Sequence, residues 1–201
     1  MSETKQSRTL KGKELITIGI FSAIYFAINF VFMVSGGFHP IMWILMPAFI
    51  ALFTGIPFMI MAAKVQKPFA VVIMGAITAL IYFATGQFTM VILITFVISC
   101  MLAEVCRAAT KYNSFWGNTL AFAFFSLGMT GSPLPVWLFR DDFFAQIREQ
   151  GMPANYLASI ESIASTQMLF VMLVAPFFLA IIGSFIAKAL TKKHFKKAGI
   201  V

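Results

Sequence analysis

Few side chains of this sequence have the types and spacings that catalysis requires. His39 and His194 lie far apart in the chain, and Cys100 and Cys106 share one apolar stretch. The sequence contains no H-E-x-x-H zinc motif, no G-x-S-x-G nucleophile turn and no G-x-x-x-x-G-K-[ST] phosphate loop. We therefore predict that the chain is not an enzyme, needs no cofactor or metal ion, and does not itself hydrolyse ATP.

A second set of side chains has the chemistry to bind a small molecule rather than to transform it. Aromatic rings stack on planar ligands, and amides and hydroxyls fix a ligand's orientation by hydrogen bonding. The candidates lie towards one predicted end of the apolar stretches and are Asn29, His39, Trp43, Tyr82, Gln87, Trp137, Glu161 and Gln167.

These candidates also have purely structural interpretations, because aromatic residues commonly anchor helix ends at a membrane surface. The alternatives are an interface anchor for Trp43, Tyr82 and Trp137, a turn before Pro40 for His39, an interhelical hydrogen bond for Asn29, a hairpin cap for Gln87 and a solvated charge for Glu161. Sequence alone leaves both sets of roles open.

The composition shows what kind of scaffold must position these residues. Hydrophobic residues make up 60% of the 201 residues and charged residues only 11%, whereas soluble domains average about 45–50% and about 25%. Roughly 120 apolar residues suffice for about six spans of about 20 residues each. We predict an all-α integral membrane protein, with six transmembrane helices in one compact bundle and residues 1–201 forming a single membrane domain.

The apolar stretches give the expected positions of the six spans. They run from Leu15 to Val34, Ile41 to Ala63, Phe69 to Ala84, Phe88 to Ala103, Phe115 to Met129, and from between Ile160 and Gln167 to Leu190. Pro47 and Pro57 predict a kinked second span, because proline removes a helical hydrogen bond.

The long connection between the fifth and sixth spans, residues 132–161, contains a pattern typical of one short extra helix. Asp141 is a suitable N-cap for this helix and Gly151 a suitable terminator. Its apolar side has two compatible interpretations. It could lie on the membrane surface, or it could close over a pocket.

Basic residues predict the orientation. Thirteen of the fifteen lysines and arginines fall on the side that holds both termini, including the basic tails at 1–13 and 191–201, and only Arg140 and Arg148 fall on the other. Because cytoplasmic loops carry the excess of basic residues, we expect a plasma-membrane protein with both termini cytoplasmic and the 132–161 loop extracellular. The net charge of +8 then indicates topology, and we expect no nucleic-acid partner. Near the cytoplasmic end of the fourth span, Glu104 and Arg107 are spaced for an i,i+3 ion pair.

The first span carries a stripe of small residues, Gly19, Ala23 and Ala27, at intervals of four. Small residues at this spacing share one helix face and let another helix approach closely in lipid. Tyr25 and Asn29 follow Ala23 and Ala27 by two residues, about 200° around a helix, so they should point the opposite way. The stripe could dock a partner subunit, or it could pack within the bundle.

These features together resemble the S components of energy-coupling factor (ECF) transporters, the substrate-binding subunits of vitamin importers. Ala23-Ile24-Tyr25-Phe26-Ala27 is similar to the Ala-x-x-x-Ala motif in the first span of that family. The resemblance extends to nearly the whole chain through its length, its six predicted spans and its lack of an ATPase motif.

The resemblance implies that the chain binds a water-soluble vitamin or vitamin precursor and delivers it by reorienting in the membrane. Its implied partners are a transmembrane T (coupling) subunit, which would dock on Gly19, Ala23 and Ala27, and two ATPase subunits. The aromatic and amide-rich candidate set favours a pyrimidine or pyridine compound, such as hydroxymethylpyrimidine or pyridoxine. The alternative is a standalone small secondary transporter or channel. That alternative is disfavoured because the predicted spans contain no ionisable relay at the membrane midplane.

Overall fold

A computed structural model describes the backbone of residues 9–85 and 89–197, and the side chains of these ranges up to residue 192. The described residues form helices and no strand, which confirms the all-α prediction. The helices are α1 (Gly12–Gly36), α2 (Pro40–Ile44), α3 (Met46–Lys64), α4 (Ala70–Ala84), α5 (Met90–Ala109), α6 (Phe115–Ser126), α7 (Pro135–Leu138), α8 (Arg140–Glu149), α9 (Ala154–Ile163) and α10 (Thr166–Lys197), with a 3-10 turn at Leu127–Gly131 after α6.

Four of the described helices, α1, α3, α5 and α10, are long and apolar enough to cross a membrane. The predicted third span corresponds to α4, which has 15 residues, and the predicted fifth to α6, which has 12 and continues into the 3-10 turn. Both are shorter than the roughly 20 residues of a typical span. The membrane-protein class is thus supported, and the count of six spans stays a prediction.

The predicted second span is broken where the sequence suggested only a kink. Leu45 is a turn residue that separates α2 from α3. Pro47 lies in the first turn of α3, where its missing N–H costs no intrahelical bond. Pro57 does lie inside α3. The sixth span was predicted to end at Leu190, and α10 is kinked at the next residue, Thr191.

The helix α3 lies at the centre of the bundle. In its most apolar window 72% of the residues are buried, against 22% for α1, 33% for α5 and 28% for α10. It packs against α1, α6 and α10, while α4 packs between α1 and α5 and α5 packs on α6. The outer helices therefore each present one face to the protein and leave another face free.

The closest helix contact joins α3 to α10. A Cβ atom on Gly55 would lie 2.5 Å from the carbonyl carbon of Gly183, and one on Gly183 would lie 2.5 Å from the carbonyl oxygen of Leu52. Glycine at both positions allows the two backbones to touch, as small residues do where membrane helices pack.

The bundle end where α3 and α5 finish is held by a buried arginine rather than by the predicted Glu104–Arg107 pair. The fully buried Arg107 donates from Nε to Asn118 Oδ1 (3.0 Å) and from Nη2 to the carbonyl oxygen of Val65 (2.7 Å). Glu104 instead accepts from the backbone N–H of Phe69 (2.7 Å). The guanidinium is drawn to the last carbonyls of α3 because these have no intrahelical partner. We call this the basic end.

We expect Gly55→Ala to destabilise the bundle by about 1–3 kcal/mol, because the new Cβ meets the Gly183 backbone and the two helices must separate. Thermal unfolding in detergent should show a lowered midpoint. Gly12→Ala is the control, since its Cβ would meet nothing within 4 Å. Equal midpoints for the two variants would contradict the close α3–α10 contact.

Candidate functional site

The structure separates the candidate residues into a buried group and a group near the end of the bundle opposite the basic end. Asn29 and Tyr82 are buried, while Trp43 and Trp137 are half-buried and His39, Glu161 and Gln167 are exposed. Gln87 lies outside the described residues. The candidates therefore do not form one site in this structure, and the buried pair must be considered apart from the others.

Asn29 and Tyr82 belong to a buried set that we call the polar cluster, made of Tyr25, Asn29, Thr54 and Tyr82. Tyr25, Asn29 and Thr54 have no exposed surface, and Tyr82 is 2% exposed. The Tyr82 hydroxyl donates to Asn29 Oδ1 at 3.4 Å, and Asn29 Nδ2 donates to the carbonyl oxygen of Tyr25 at 2.7 Å. The cluster joins α1, α3 and α4 through neutral polar groups.

The Tyr25 hydroxyl makes no hydrogen bond. The side chains of Asn29 and Thr54 lie near enough to interact with it, but neither is in hydrogen-bonding geometry. A buried hydroxyl that lacks a partner lowers stability, since it has lost its hydrogen bonds to water. Such groups are rare in folded proteins and often mark a functional position.

Phenylalanine rings surround the polar cluster. Phe125 meets Tyr25 edge-on with ring centroids 5.5 Å apart, and Phe26 meets Tyr82 edge-on at 5.7 Å. Phe96 lies 6.5 Å from Tyr82 and 6.1 Å from Phe125. The cluster is thus a small polar region inside an aromatic one, a combination typical of sites for small planar molecules.

The sequence signal for two members of the cluster was incomplete. Spacing predicted that Tyr25 and Asn29 face away from the small-residue stripe, and both are fully buried, which confirms that prediction. Tyr25 was nevertheless not among the candidate binding residues, although it precedes Asn29 by one helical turn. Thr54 carries no sequence signal, because a threonine that bonds its own helix, here at the Ile50 carbonyl, is common in apolar helices.

A second structural unit covers the end of the bundle where α1 finishes and α3 begins. We call it the cap; it consists of α2, α7, α8 and α9. It has its own small core of Val136, Phe144, Leu157 and Ile160. The sequence predicted only one helix in the 132–161 connection, and the structure has α7, α8 and α9 there.

The predicted helix of this connection is present as α8, although its N-cap is Phe139 and not Asp141, which lies in the first turn. A negative charge in that turn still stabilises the helix through its dipole. The end at Gly151 is confirmed, because that glycine has a left-handed φ of +81° after the helix stops.

The apolar side of α8 faces the protein. Phe143 stacks on Trp43 of α2, with ring centroids 5.6 Å apart, and Ile147 packs on the cap core. Asp142, Gln146 and Glu149 are on the exposed side. This arrangement favours the interpretation of α8 as part of a cover over the interpretation as a helix lying on lipid.

Two hydrogen bonds attach the cap to the long helices. The Tyr156 hydroxyl of α9 donates to the carbonyl oxygen of Gly36 at 2.6 Å, and Trp137 Nε1 donates to the carbonyl oxygen of Ser165 at 3.1 Å. Partial burial raises the pKa of the Tyr156 hydroxyl, so it stays protonated and able to donate at neutral pH.

The remaining candidates make local contacts in or beside the cap. His39 is the N-cap of α2 and accepts from the Ile41 N–H at 3.2 Å, as its turn interpretation required. Glu161 pairs with Arg140 at 3.2 Å along a groove of about 450 Å³ between α8 and α9. Gln167 lies in the first turn of α10. Among the described residues, no three His, Cys, Asp or Glu side chains gather closely enough to hold a metal ion.

The small-residue stripe of α1 faces away from the bundle. Ala23 and Ala27 are exposed, and a Cβ on Gly19 would meet nothing within 4 Å. Ile16 and Ile20 extend the same apolar surface, with exposures of 66% and 54%. Packing of the stripe within this chain is therefore excluded, and what it contacts must come from outside the chain.

A family model for hypothetical bacterial integral membrane proteins, Trep_Strep, matches residues 12–197. The chain belongs to this family. The match includes every described helix, from the start of α1 to the end of α10, and it supports a membrane location. Comparison with curated proteins and with solved structures finds no match.

We expect Tyr156→Phe to loosen the cap without affecting the bundle, because it removes the hydrogen bond to Gly36. Amide hydrogen exchange in α9 should become about five- to tenfold faster, the value of one hydrogen bond. Exchange in α3 should not change.

The raised pKa of Tyr156 gives a pH test of the same contact. The hydroxyl donates only while protonated, so the wild-type cap should keep its protection up to about pH 10, the ordinary tyrosine pKa. Protection should be lost as the pH rises further. Tyr112→Phe, at the basic end, is the control. Unchanged exchange in Tyr156→Phe would show that the bond does not hold the cap.

Proposed function

We propose that this chain is the substrate-binding subunit, or S component, of an ECF-type importer for a water-soluble vitamin or vitamin precursor. The observation that carries the proposal is the division of α1 into two faces. One face places Gly19, Ala23 and Ala27 on the outside of the bundle, and the other buries Tyr25 and Asn29. A subunit that both binds a substrate and docks on a coupling protein needs both kinds of face.

The outward face suits a helix of a T subunit. The stripe combines an open position at Gly19 with two exposed alanines, so a partner helix could approach the α1 backbone closely. Lipid chains could cover the same face, but they would not require small residues at intervals of four.

The inward face suits a substrate. Polar groups inside a membrane bundle are costly and usually functional, and those of the polar cluster lie beneath the end that the cap covers. Asn29 precedes Gly36 by seven residues, or about 10 Å along the helix. In this proposal the cap end faces outside, the cap admits the substrate, and the basic end faces the cytoplasm. Two separate ATPase subunits would drive release, since the sequence has no phosphate loop.

The proposal is tested by purifying the tagged chain from its native membrane and identifying the proteins that accompany it. We expect a T subunit and two ATPases in stoichiometric amounts. A chain that transports substrate without them would instead be the standalone transporter or channel that the sequence left as the alternative.

Ala23→Leu combined with Ala27→Leu tests the docking face directly. The added side chains should reduce recovery of the T subunit at least about tenfold, a loss of about 1.4 kcal/mol. Substrate binding should remain, because the altered side chains point away from the polar cluster. Ala76→Leu with Ala84→Leu, on exposed positions of α4, is the matched control. Normal assembly of the Ala23/Ala27 variant would remove the docking role from the stripe.

A further inference from the structure

We infer that Tyr25 is a substrate contact, and that the substrate is an uncharged planar molecule able both to donate and to accept hydrogen bonds. This inference rests on the proposed function, because it assumes that the polar cluster is where the substrate binds. Tyr25 was identified by the structure, as a fully buried hydroxyl without a hydrogen-bond partner.

The unused hydrogen-bonding capacity of the cluster indicates what the ligand must offer. The Tyr25 hydroxyl has its proton and both lone pairs free, and Asn29 Nδ2 uses only one of its two protons, on the Tyr25 carbonyl oxygen. The Tyr82 hydroxyl donates to Asn29 and can still accept. Donors and acceptors are thus both available, so a ligand with both kinds of group would satisfy them.

The absence of charge in the cluster indicates the charge of the ligand. Tyr25, Asn29, Thr54 and Tyr82 are all neutral, and so are the phenylalanines packed around them. A carboxylate, phosphate or ammonium placed there would be buried without a counter-charge, which is far more costly than burying a neutral polar group. Charged vitamins are therefore disfavoured.

The shape of the surroundings indicates a flat ligand. The rings of Tyr25, Tyr82, Phe96 and Phe125 contact one another edge-on or at a tilt. Aromatic side chains in such arrangements can offer edges and faces to another ring. Because Tyr25, Asn29 and Thr54 have no exposed surface, these helices must separate before such a ring enters.

The first experiment identifies what the protein carries. Wild-type protein is purified from membranes of cells grown in complex medium, then denatured, and the released small molecules are identified by mass spectrometry. We expect an uncharged ring compound with donor and acceptor groups. Release of a compound charged at neutral pH, or of no compound, would overturn the inference; in the latter case an ordered water explains the Tyr25 hydroxyl.

The second experiment tests Tyr25 itself. Tyr25→Phe keeps the ring and removes the hydroxyl, so the amount of released compound should fall roughly tenfold, as expected for one lost hydrogen bond in a buried site. Tyr112→Phe, which removes a hydroxyl near the basic end, should retain the compound. Equal amounts in the two variants would contradict a contact at Tyr25.

A stability measurement separates a substrate contact from a structural one. After the bound compound is removed, Tyr25→Phe should unfold at the same temperature as the wild type or higher, because an unpaired buried hydroxyl has been replaced by an apolar group of the same shape. Tyr82→Phe should unfold at a lower temperature, since it loses the bond to Asn29. A lowered midpoint for Tyr25→Phe would mean that its hydroxyl supports the fold.

The two proposals fail in different ways. If the T subunit and ATPases copurify but the released compound is charged, the importer function stands and the neutral-ligand inference is wrong. If a neutral compound depends on Tyr25 but no T subunit or ATPase accompanies the chain, the substrate contact stands and the ECF assignment is wrong.

Discussion

The arrangement of the whole bundle depends on the contact between α3 and α10, where Gly55 and Gly183 bring two backbones together. Lipid gives apolar side chains no reason to leave it, so helices in a membrane associate mainly through close packing and hydrogen bonds. This contact helps to place α3 in the middle, with α1, α6 and α10 against it. Only a central α3 leaves α1 on the periphery, and only a peripheral α1 has a free face for a partner and a buried face for a ligand.

The two ends of the bundle are stabilised by different chemistry. At the basic end, Arg107 binds carbonyl oxygens of α3, and the ion pair of Lys67 with Glu14 ties the α3–α4 connection to the start of α1. At the other end the cap has a separate small core and is attached to the ends of α1 and α10 by single hydrogen bonds from Tyr156 and Trp137. Few contacts favour local opening. The protein thus combines a firmly held end with one that can open, which suits a subunit that admits a substrate from one side.

Local patterns predicted the helices well where one residue type dominates, and less well where distant groups compete. The proline at position 47 suggested a kink, but the chain breaks at Leu45 and uses the proline to begin α3. The spacing of Glu104 and Arg107 suggested an ion pair, but unpaired carbonyls of α3 bind the arginine instead. In both cases the deciding partner is remote in sequence, so no periodicity could reveal it. The same holds for α9, whose apolar residues pack on α2 and α8 rather than on a long helix.

The sequence by itself determined the class of the protein, the positions of its long helices and the opposite directions of the two faces of α1. These follow from apolar content and from 3.6-residue periodicity, which are local properties. Tertiary structure decided which face of α1 is buried, that Tyr25 and Thr54 join Asn29 and Tyr82, and that the 132–161 connection folds into a cap. It also left the Tyr25 hydroxyl without a partner. Those outcomes depend on which side chains from separate helices meet, and a single helix carries no record of its neighbours.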